Sequence, residues 1–212
     1  MSMTYLKLAI PAAMIGLLPA TPAAATEQAF FFSTGNPDGK IATLSRTASP
    51  GKLETETADD FVTTHETEIT GATFTGLLVG GATPADVSQV EIELYHVFPI
   101  DSTNPPDGRV VTRMNSPSDN NFAAADSKLG QLTFTITPLI SGFTAANSVI
   151  NGINPKPNQF TGGEGAVTGE EVQFNITFNT PFLIGVDHVF FRPEVNLGSF
   201  GDFLWLSAPK PI

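Results

Sequence analysis

Two glutamates on one short segment have a spacing that suggests catalysis. Glu91 and Glu93 alternate with Val90, Ile92 and Leu94, so in an extended strand both carboxylates lie on one face, roughly 7 Å apart. Two carboxylates at about that separation can flank a glycosidic bond. Glu91 and Glu93 are therefore candidate catalytic residues of a glycan-cleaving enzyme. The alternative is that they only keep a solvent-facing strand soluble.

Other common catalytic sets are missing from the sequence. There is no cysteine, which excludes thiol nucleophiles, and there is no Gly-x-Ser-x-Gly motif. His65 opens a His-Glu-x-x stretch, but the second histidine of the zinc-protease motif is replaced by Ile69, which begins a predicted strand rather than continuing a helix. The chain is therefore more consistent with a non-enzyme than with an enzyme.

Metal binding has two candidate sources. The histidines His65, His96 and His188 are far apart in sequence but could meet on a sandwich and bind a metal. Alternatively each makes local contacts, with His96 on a core-facing position bonding a backbone carbonyl. Asp59 and Asp60 are adjacent carboxylates before a strand, and they repel unless something neutralises them. They are the candidate ligands of a structural calcium ion, and no other cofactor is indicated.

Two aromatic residues could serve as platforms for sugar rings. Trp205 and Tyr95 are the candidates for ligand binding, although Trp205 shares its strand parity with Phe203, which favours a place in the core over a ligand platform. Sugar binding can also use a polar face lined by threonine and asparagine.

Alternation of apolar and polar residues predicts the elements that position these side chains. In Gln131–Thr137, Leu132, Phe134 and Ile136 face one way and three threonines face the other, which is typical of a half-buried strand. The predicted strands are Ala29–Ser33, Ala58–Thr64, Ile69–Leu78, Val87–Phe98, Gln131–Thr137, Glu171–Asn179, His188–Leu197 and Phe203–Ser207.

The fold class follows from this pattern. Alternating strands with one polar face indicate antiparallel sheets, and two such sheets bury their apolar faces by stacking. We therefore predict an all-β, two-sheet antiparallel β-sandwich of jelly-roll or Greek-key type. The 17 phenylalanines suit core packing. The longest predicted irregular stretch, Asn151–Gly169, is of a length that is often functional.

The N-terminus has the three parts of a secretory signal peptide. One lysine, Lys7, precedes an apolar run that ends in Ala23-Ala24-Ala25. We expect residues 1–25 to be removed before Thr26, leaving one domain over residues 26–212. The mature protein is then expected to be secreted or extracellular, with the periplasm as an alternative, and not held in a membrane.

The charge balance limits the partners of the chain. Its formal net charge is −11, and an acidic surface repels phosphate backbones, so nucleic acid is not an expected partner. Polysaccharide or another cell-surface polymer fits better, because charged residues make up only 15% of the chain and the surface must be built largely from uncharged polar residues.

Several segments resemble a known family. Thr57-Ala-Asp-Asp-Phe-Val-Thr63, Ile69-Thr-Gly-Ala-Thr-Phe-Thr-Gly-Leu-Leu78, Asn151-Gly-Ile-Asn-Pro-Lys-Pro-Asn-Gln159 and Asp202-Phe-Leu-Trp-Leu-Ser-Ala-Pro-Lys-Pro-Ile212 resemble an uncharacterised family of secreted bacterial β-sandwich proteins. The chain is also similar to exported proteins with sorting tails of the PEP-CTERM kind. The resemblance implies a fold and an exported location but no activity. Because members continue past the Ser-Ala-Pro-Lys-Pro segment, it also implies a C-terminally truncated version.

Three functional hypotheses remain at this point. The first is a non-catalytic extracellular binding or matrix module for polysaccharide or a cell-surface polymer. The second is a glycan-cleaving enzyme that uses Glu91 and Glu93. The third is a structural protein of a cell surface or biofilm. The sandwich pattern and the missing catalytic sets favour the first.

Overall fold

A computed structural model describes residues 30–97, 117–118, 120–151 and 162–209. The predicted signal peptide and residues 152–161 of the predicted loop Asn151–Gly169 lie outside the described residues.

The described residues form ten β-strands and one short 3-10 turn at Pro84–Asp86. The strands are β1 Ile41–Leu44, β2 Asp59–Thr63, β3 Thr67–Val79, β4 Gln89–His96, β5 Ala123–Asp126, β6 Leu132–Ala145, β7 Asn147–Val149, β8 Val167–Ile184, β9 Asp187–Asn196 and β10 Asp202–Leu206.

The strands assemble into two sheets. The first sheet has the order β6-β8-β3-β10-β1-β7, and the second has the order β2-β9-β4-β5. Adjacent strands are antiparallel except for β1 and β7, which pair in parallel. The predicted all-β, two-sheet sandwich is confirmed, and within the described part of the chain the parallel pair is the one departure from a purely antiparallel arrangement.

The main core lies between the inner faces of the two sheets. Phe174 is fully buried at its centre, with ring-centroid distances of 4.9 Å to Phe74 and 5.4 Å to Phe203. The second sheet contributes Ile92 and Val189, which are also fully buried. The predicted alternation is confirmed, because the apolar positions of β4, β6 and β8 face this core and their polar neighbours do not.

The predicted strand over Ala29–Ser33 is wrong over its described part. Phe30 to Ser33 form no backbone ladder, although the rings of Phe30 and Phe32 each lie 5.8 Å from the ring of Phe61. Three consecutive phenylalanines have high strand propensity, but a strand also needs a partner edge at the right distance.

Three short strands, β1, β5 and β7, were not predicted. Each has only three or four residues, too few for alternation to be recognised. In contrast, β6 and β8 extend well beyond their predicted ends. The end of β6 pairs with the start of β8 across irregularities near Pro138 and Ile140, and the end of β8 pairs with the start of β3.

Candidate functional site

A groove of about 680 Å³ runs along one edge of β3. The pairing of β10 with β3 covers only four residue pairs, the first between Asp202 and Val79 and the last between Trp205 and Gly76. Before Gly76, the same edge of β3 has no strand partner among the described residues. The residues from Phe30 to Pro37 also line this edge groove.

The inner side of the edge groove is aromatic. Phe61, Phe74, Phe191 and Trp205 line it together with Phe30. The rings of Phe191 and Trp205 meet edge to face, with centroids 6.3 Å apart, and Trp205 is only half-buried. The candidate platform Trp205 therefore packs against the core on one side and lines the groove as well.

The outer side of the edge groove is polar and uncharged. Thr73, Thr75, Gln173 and Asn175 line it, and the Thr73 hydroxyl donates to the side-chain oxygen of Asn175 at 3.3 Å. Directly opposed residues of an antiparallel pair share a face, and the pairing places these four side chains on the outer face of the first sheet. The groove thus has lining residues from both faces of β3.

Charge is nearly absent from the lining. Asp59 and Glu68 are the charged lining residues in the described part of the chain, and neither lysine nor arginine lines the groove. Aromatic rings beside hydroxyl and amide groups can stack against the apolar face of a sugar ring and bond its hydroxyls. Among the described residues, the lining offers no cation to hold a carboxylate or a phosphate.

A second group of residues, the carboxylate cluster, surrounds Arg192 on the outer face of the second sheet. It contains Glu54, Glu56, Glu91, Glu93 and Glu194. Arg192 has 3% of its surface exposed and forms ion pairs with Glu93, Glu56 and Glu54. Its guanidinium also lies 3.4 Å from a carboxyl oxygen of Glu194. The pairing of β4 with β9 sets Glu91 opposite Glu194 and Glu93 opposite Arg192, so the prediction that Glu91 and Glu93 share a face is confirmed.

Burial changes the proton affinity of several members of the cluster. Burial and the neighbouring glutamates raise the pKa of Glu194 to about 8, against the attraction of Arg192. Burial, together with the charges of Glu93 and Asp126, also raises the pKa of Glu91. One oxygen of Glu194, Oε1, is buried without a hydrogen-bond partner among the described residues, which agrees with a carboxyl group that holds its proton near neutral pH.

Glu93 is already occupied by contacts within the protein. It accepts hydrogen bonds from the Tyr95 hydroxyl at 2.6 Å and from the Asn121 amide at 2.8 Å, and it pairs with Arg192. Its side chain is 12% exposed, so the expectation of a solvent-facing carboxylate is wrong. The reason is tertiary, because a hairpin over residues 46–55 brings Glu54 over this face.

Tyr95 belongs to the carboxylate cluster rather than to the edge groove. Its ring is 8% exposed and lies beneath the Arg192 guanidinium, whose central carbon is 5.2 Å from the ring centroid. Burial and the hydrogen bond to Glu93 raise the pKa of the hydroxyl. The ring therefore stabilises a buried cation and is not an open platform.

The three histidines do not come together. His188 contacts Asp60 at 2.6 Å, and His96 contacts Asp187 at 2.6 Å. The expectation that His96 bonds a backbone carbonyl is wrong, because β4 ends there and the ring is exposed beside Asp187. Within the described parts of the chain, no group of three or more histidine and acidic residues could hold a metal ion.

The candidate calcium ligands Asp59 and Asp60 point to opposite faces of β2. Asp59 lines the edge groove, whereas Asp60 pairs with His188. Neighbouring strand residues alternate between faces, so one ion cannot readily be bound by both carboxylates.

Two features of these sites could not have been recognised from sequence. Gln173, Asn175, Thr73 and Thr75 are visible there only as the outward residues of two strands. Nothing in the sequence indicates that these strands are neighbours or that their outer side continues into a groove. Arg192 also has no local signal, because its partners come from three separate segments.

The fold and the groove define a two-sheet β-sandwich with an aromatic and amide-lined edge groove. No family model, curated protein or solved structure matches this chain. Among the described residues, no helix is long and apolar enough to cross a membrane.

Proposed function

We propose that this chain is a non-catalytic extracellular module that binds polysaccharide or a similar cell-surface polymer in the edge groove. The observation that carries the proposal is the lining of the groove, which places the half-buried Trp205 and Phe191 on one side and Gln173 and Asn175 on the other. Rings for stacking and neutral groups for hydrogen bonding are what a chain of sugars requires.

The position of the carboxylates supports a non-catalytic reading. Along β9, Phe191 lines the groove, and the next residue, Arg192, points to the opposite face with the carboxylate cluster. A sugar chain in the groove would therefore be separated from Glu91 and Glu93 by the thickness of the second sheet.

A single tryptophan provides the test. Trp205 is the only tryptophan in the chain, so the fluorescence of the purified protein reports on the groove directly. Titration with soluble neutral oligosaccharides, such as cellohexaose, xylohexaose and chitohexaose, is expected to change the emission in a saturable way. Gln173→Ala and Asn175→Ala should each weaken binding about 3- to 10-fold, since each removes one or two hydrogen bonds.

A matched control keeps the test specific. Thr180→Ala changes an exposed residue of β8 that does not line the groove, and it should leave the affinity unchanged. The proposal is contradicted if no neutral oligosaccharide changes the emission, or if Gln173→Ala and Asn175→Ala bind as well as the unchanged protein.

A glycan-cleaving enzyme is the second candidate. Its support is that Glu91, with a raised pKa, lies opposite Glu194 and two residues from Glu93, an arrangement in which one carboxyl can be an acid and another a base. This hypothesis predicts release of reducing sugar that Glu91→Gln abolishes. A broad polysaccharide panel that gives no release with the unchanged protein would remove it.

A further inference from the structure

The outer face of the first sheet carries a regular array of uncharged polar side chains, here called the hydroxyl–amide array. It consists of nine paired positions on three adjacent strands, β6, β8 and β3. Its rows are Thr133–Thr177–Gly71, Thr135–Asn175–Thr73 and Thr137–Gln173–Thr75. Because paired residues share a face, the eight side chains at these positions point outward from the core, and Gly71 contributes no side chain.

The spacing of the array is set by the sheet itself. Neighbouring strands lie about 4.8 Å apart, and residues two apart along a strand lie about 6.8 Å apart. The nine positions therefore cover roughly 10 Å by 14 Å. Every side chain in this patch ends in a hydroxyl or an amide, and none is charged, in a chain that has 31 charged residues in total: 10 basic and 21 acidic.

The β6 column extends the array beyond the edge groove. Thr133, Thr135 and Thr137 are exposed and do not line the groove, whereas Gln173, Asn175, Thr73 and Thr75 do. The three threonine hydroxyls make no hydrogen bond to another described residue. A single sugar chain lying in the groove would leave this column, two strands away from the β3 edge, without a partner.

We infer that the hydroxyl–amide array binds the surface of an ordered, uncharged polysaccharide, in which parallel chains are packed side by side. This inference rests on the proposed function and specifies its ligand. Packed chains present hydroxyls at repeated intervals on a flat neutral surface. The array opposes them with hydroxyls and amides held at fixed intervals by backbone pairing, so little conformational freedom is lost on binding.

The absence of charge in the array favours the same class of ligand. A neutral patch has no cation to pair with the carboxylates or sulfates of an anionic polysaccharide, and the net charge of −11 repels them. Many weak hydrogen bonds across an area of this size suit a ligand that is itself extended and rigid.

The test compares particles with soluble chains. The variant Thr133→Ala, Thr135→Ala, Thr137→Ala is measured against microcrystalline cellulose and chitin particles by depletion, and against cellohexaose and chitohexaose by Trp205 fluorescence. The expected result is a loss of at least about 10-fold in affinity for the particles, from three lost hydrogen bonds, with the affinity for soluble chains unchanged.

Two further variants separate the hydroxyl groups from folding. Thr133→Ser, Thr135→Ser, Thr137→Ser keeps the hydroxyls and should retain particle binding. Thr64→Ala with Thr180→Ala changes exposed threonines outside the array and should bind particles like the unchanged protein. A circular dichroism spectrum and a thermal unfolding curve check that each variant is folded.

The possible results distinguish the inference from the proposed function. Binding of soluble chains without binding of particles overturns the inference and leaves the proposed function standing. Particle binding that the alanine variant retains in full, or an equal loss for particles and soluble chains, also overturns it. Binding of neither ligand overturns both.

Discussion

Glu194 is a buried carboxyl group whose proton affinity is raised by the fold. It is 1% exposed, one of its oxygens has no hydrogen-bond partner in the described part of the chain, and its pKa is raised to about 8 from 4.5. The charged groups that face it are Arg192, Glu54, Glu91 and Glu93. The folded state binds the proton of Glu194 more tightly than the unfolded state does. Protonation of Glu194 therefore stabilises the folded protein, and this contribution is fully present below pH 4.5 and is lost as the pH rises toward 8.

The variant Glu194→Gln tests this account at the residue scale. A glutamine cannot release a proton, so the variant lacks this part of the pH dependence. The free energy of unfolding of the unchanged protein, relative to that of Glu194→Gln, should fall by about 3 to 5 kcal/mol between pH 4.5 and pH 8. Urea unfolding followed by Trp205 fluorescence measures the difference. Glu66→Gln, at an exposed position, is the control, and a difference that stays flat over this range would contradict the account.

At the scale of the element, β3 connects the core, the edge groove and the hydroxyl–amide array. Its residue Gly76 pairs with Trp205 where β10 joins the sheet. A Cβ atom at Gly76 would lie 2.2 Å from a ring carbon of Phe203 and 2.6 Å from the backbone oxygen of Leu204. Glycine is therefore required here by the close approach of β10, and its absence would displace the strand that carries Trp205.

Gly76→Ala is expected to destabilise the protein by about 1 to 3 kcal/mol or more, because the buried ring of Phe203 has no room to move. The substitution should also shift the fluorescence emission of Trp205, because Gly76 and Trp205 are directly paired across β3 and β10. Chemical unfolding with fluorescence detection measures both. Gly185→Ala is the matched control, because a Cβ at that position meets nothing within 4 Å. Equal stability of the two variants would show that β10 does not pack as closely on β3 as described.

At the scale of the whole molecule, charge is distributed away from the proposed binding surfaces. The net charge is −11, yet the edge groove contains two charged residues in the described part of the chain and the hydroxyl–amide array contains none. Several carboxylates are instead gathered around Arg192 on the other sheet. The long-range field of the molecule is therefore negative, while its proposed contacts are neutral.

Salt dependence follows from this distribution. Binding of a neutral polysaccharide should change less than about 2-fold between 0.05 M and 0.5 M NaCl, because screening acts on charges that do not contact the ligand. Pull-down with cellulose particles at both salt concentrations measures it, and carboxymethylated cellulose serves as the anionic comparison. Strong weakening of the neutral interaction by salt would show that charged residues make the contact.

The sequence was sufficient to predict the class of the fold and to predict which side chains of the long strands face the core. Alternation in β4, β6 and β8 correctly separated Ile92, Phe134 and Phe174 from their polar neighbours. It also placed Glu91 and Glu93 on one face. Alternation is a local property of an extended backbone, so it can be recognised without knowing what lies beside the strand.

The sites depended on information that the sequence does not contain locally. The partners of Arg192 come from residues 54–56, 93 and 194, and the threonines of β6 meet Gln173 and Asn175 only through the order β6-β8-β3. Which strands become neighbours is decided by packing over the whole chain. The sequence alone therefore determined which side of each strand is polar, and only the tertiary structure determined which polar sides join into one surface.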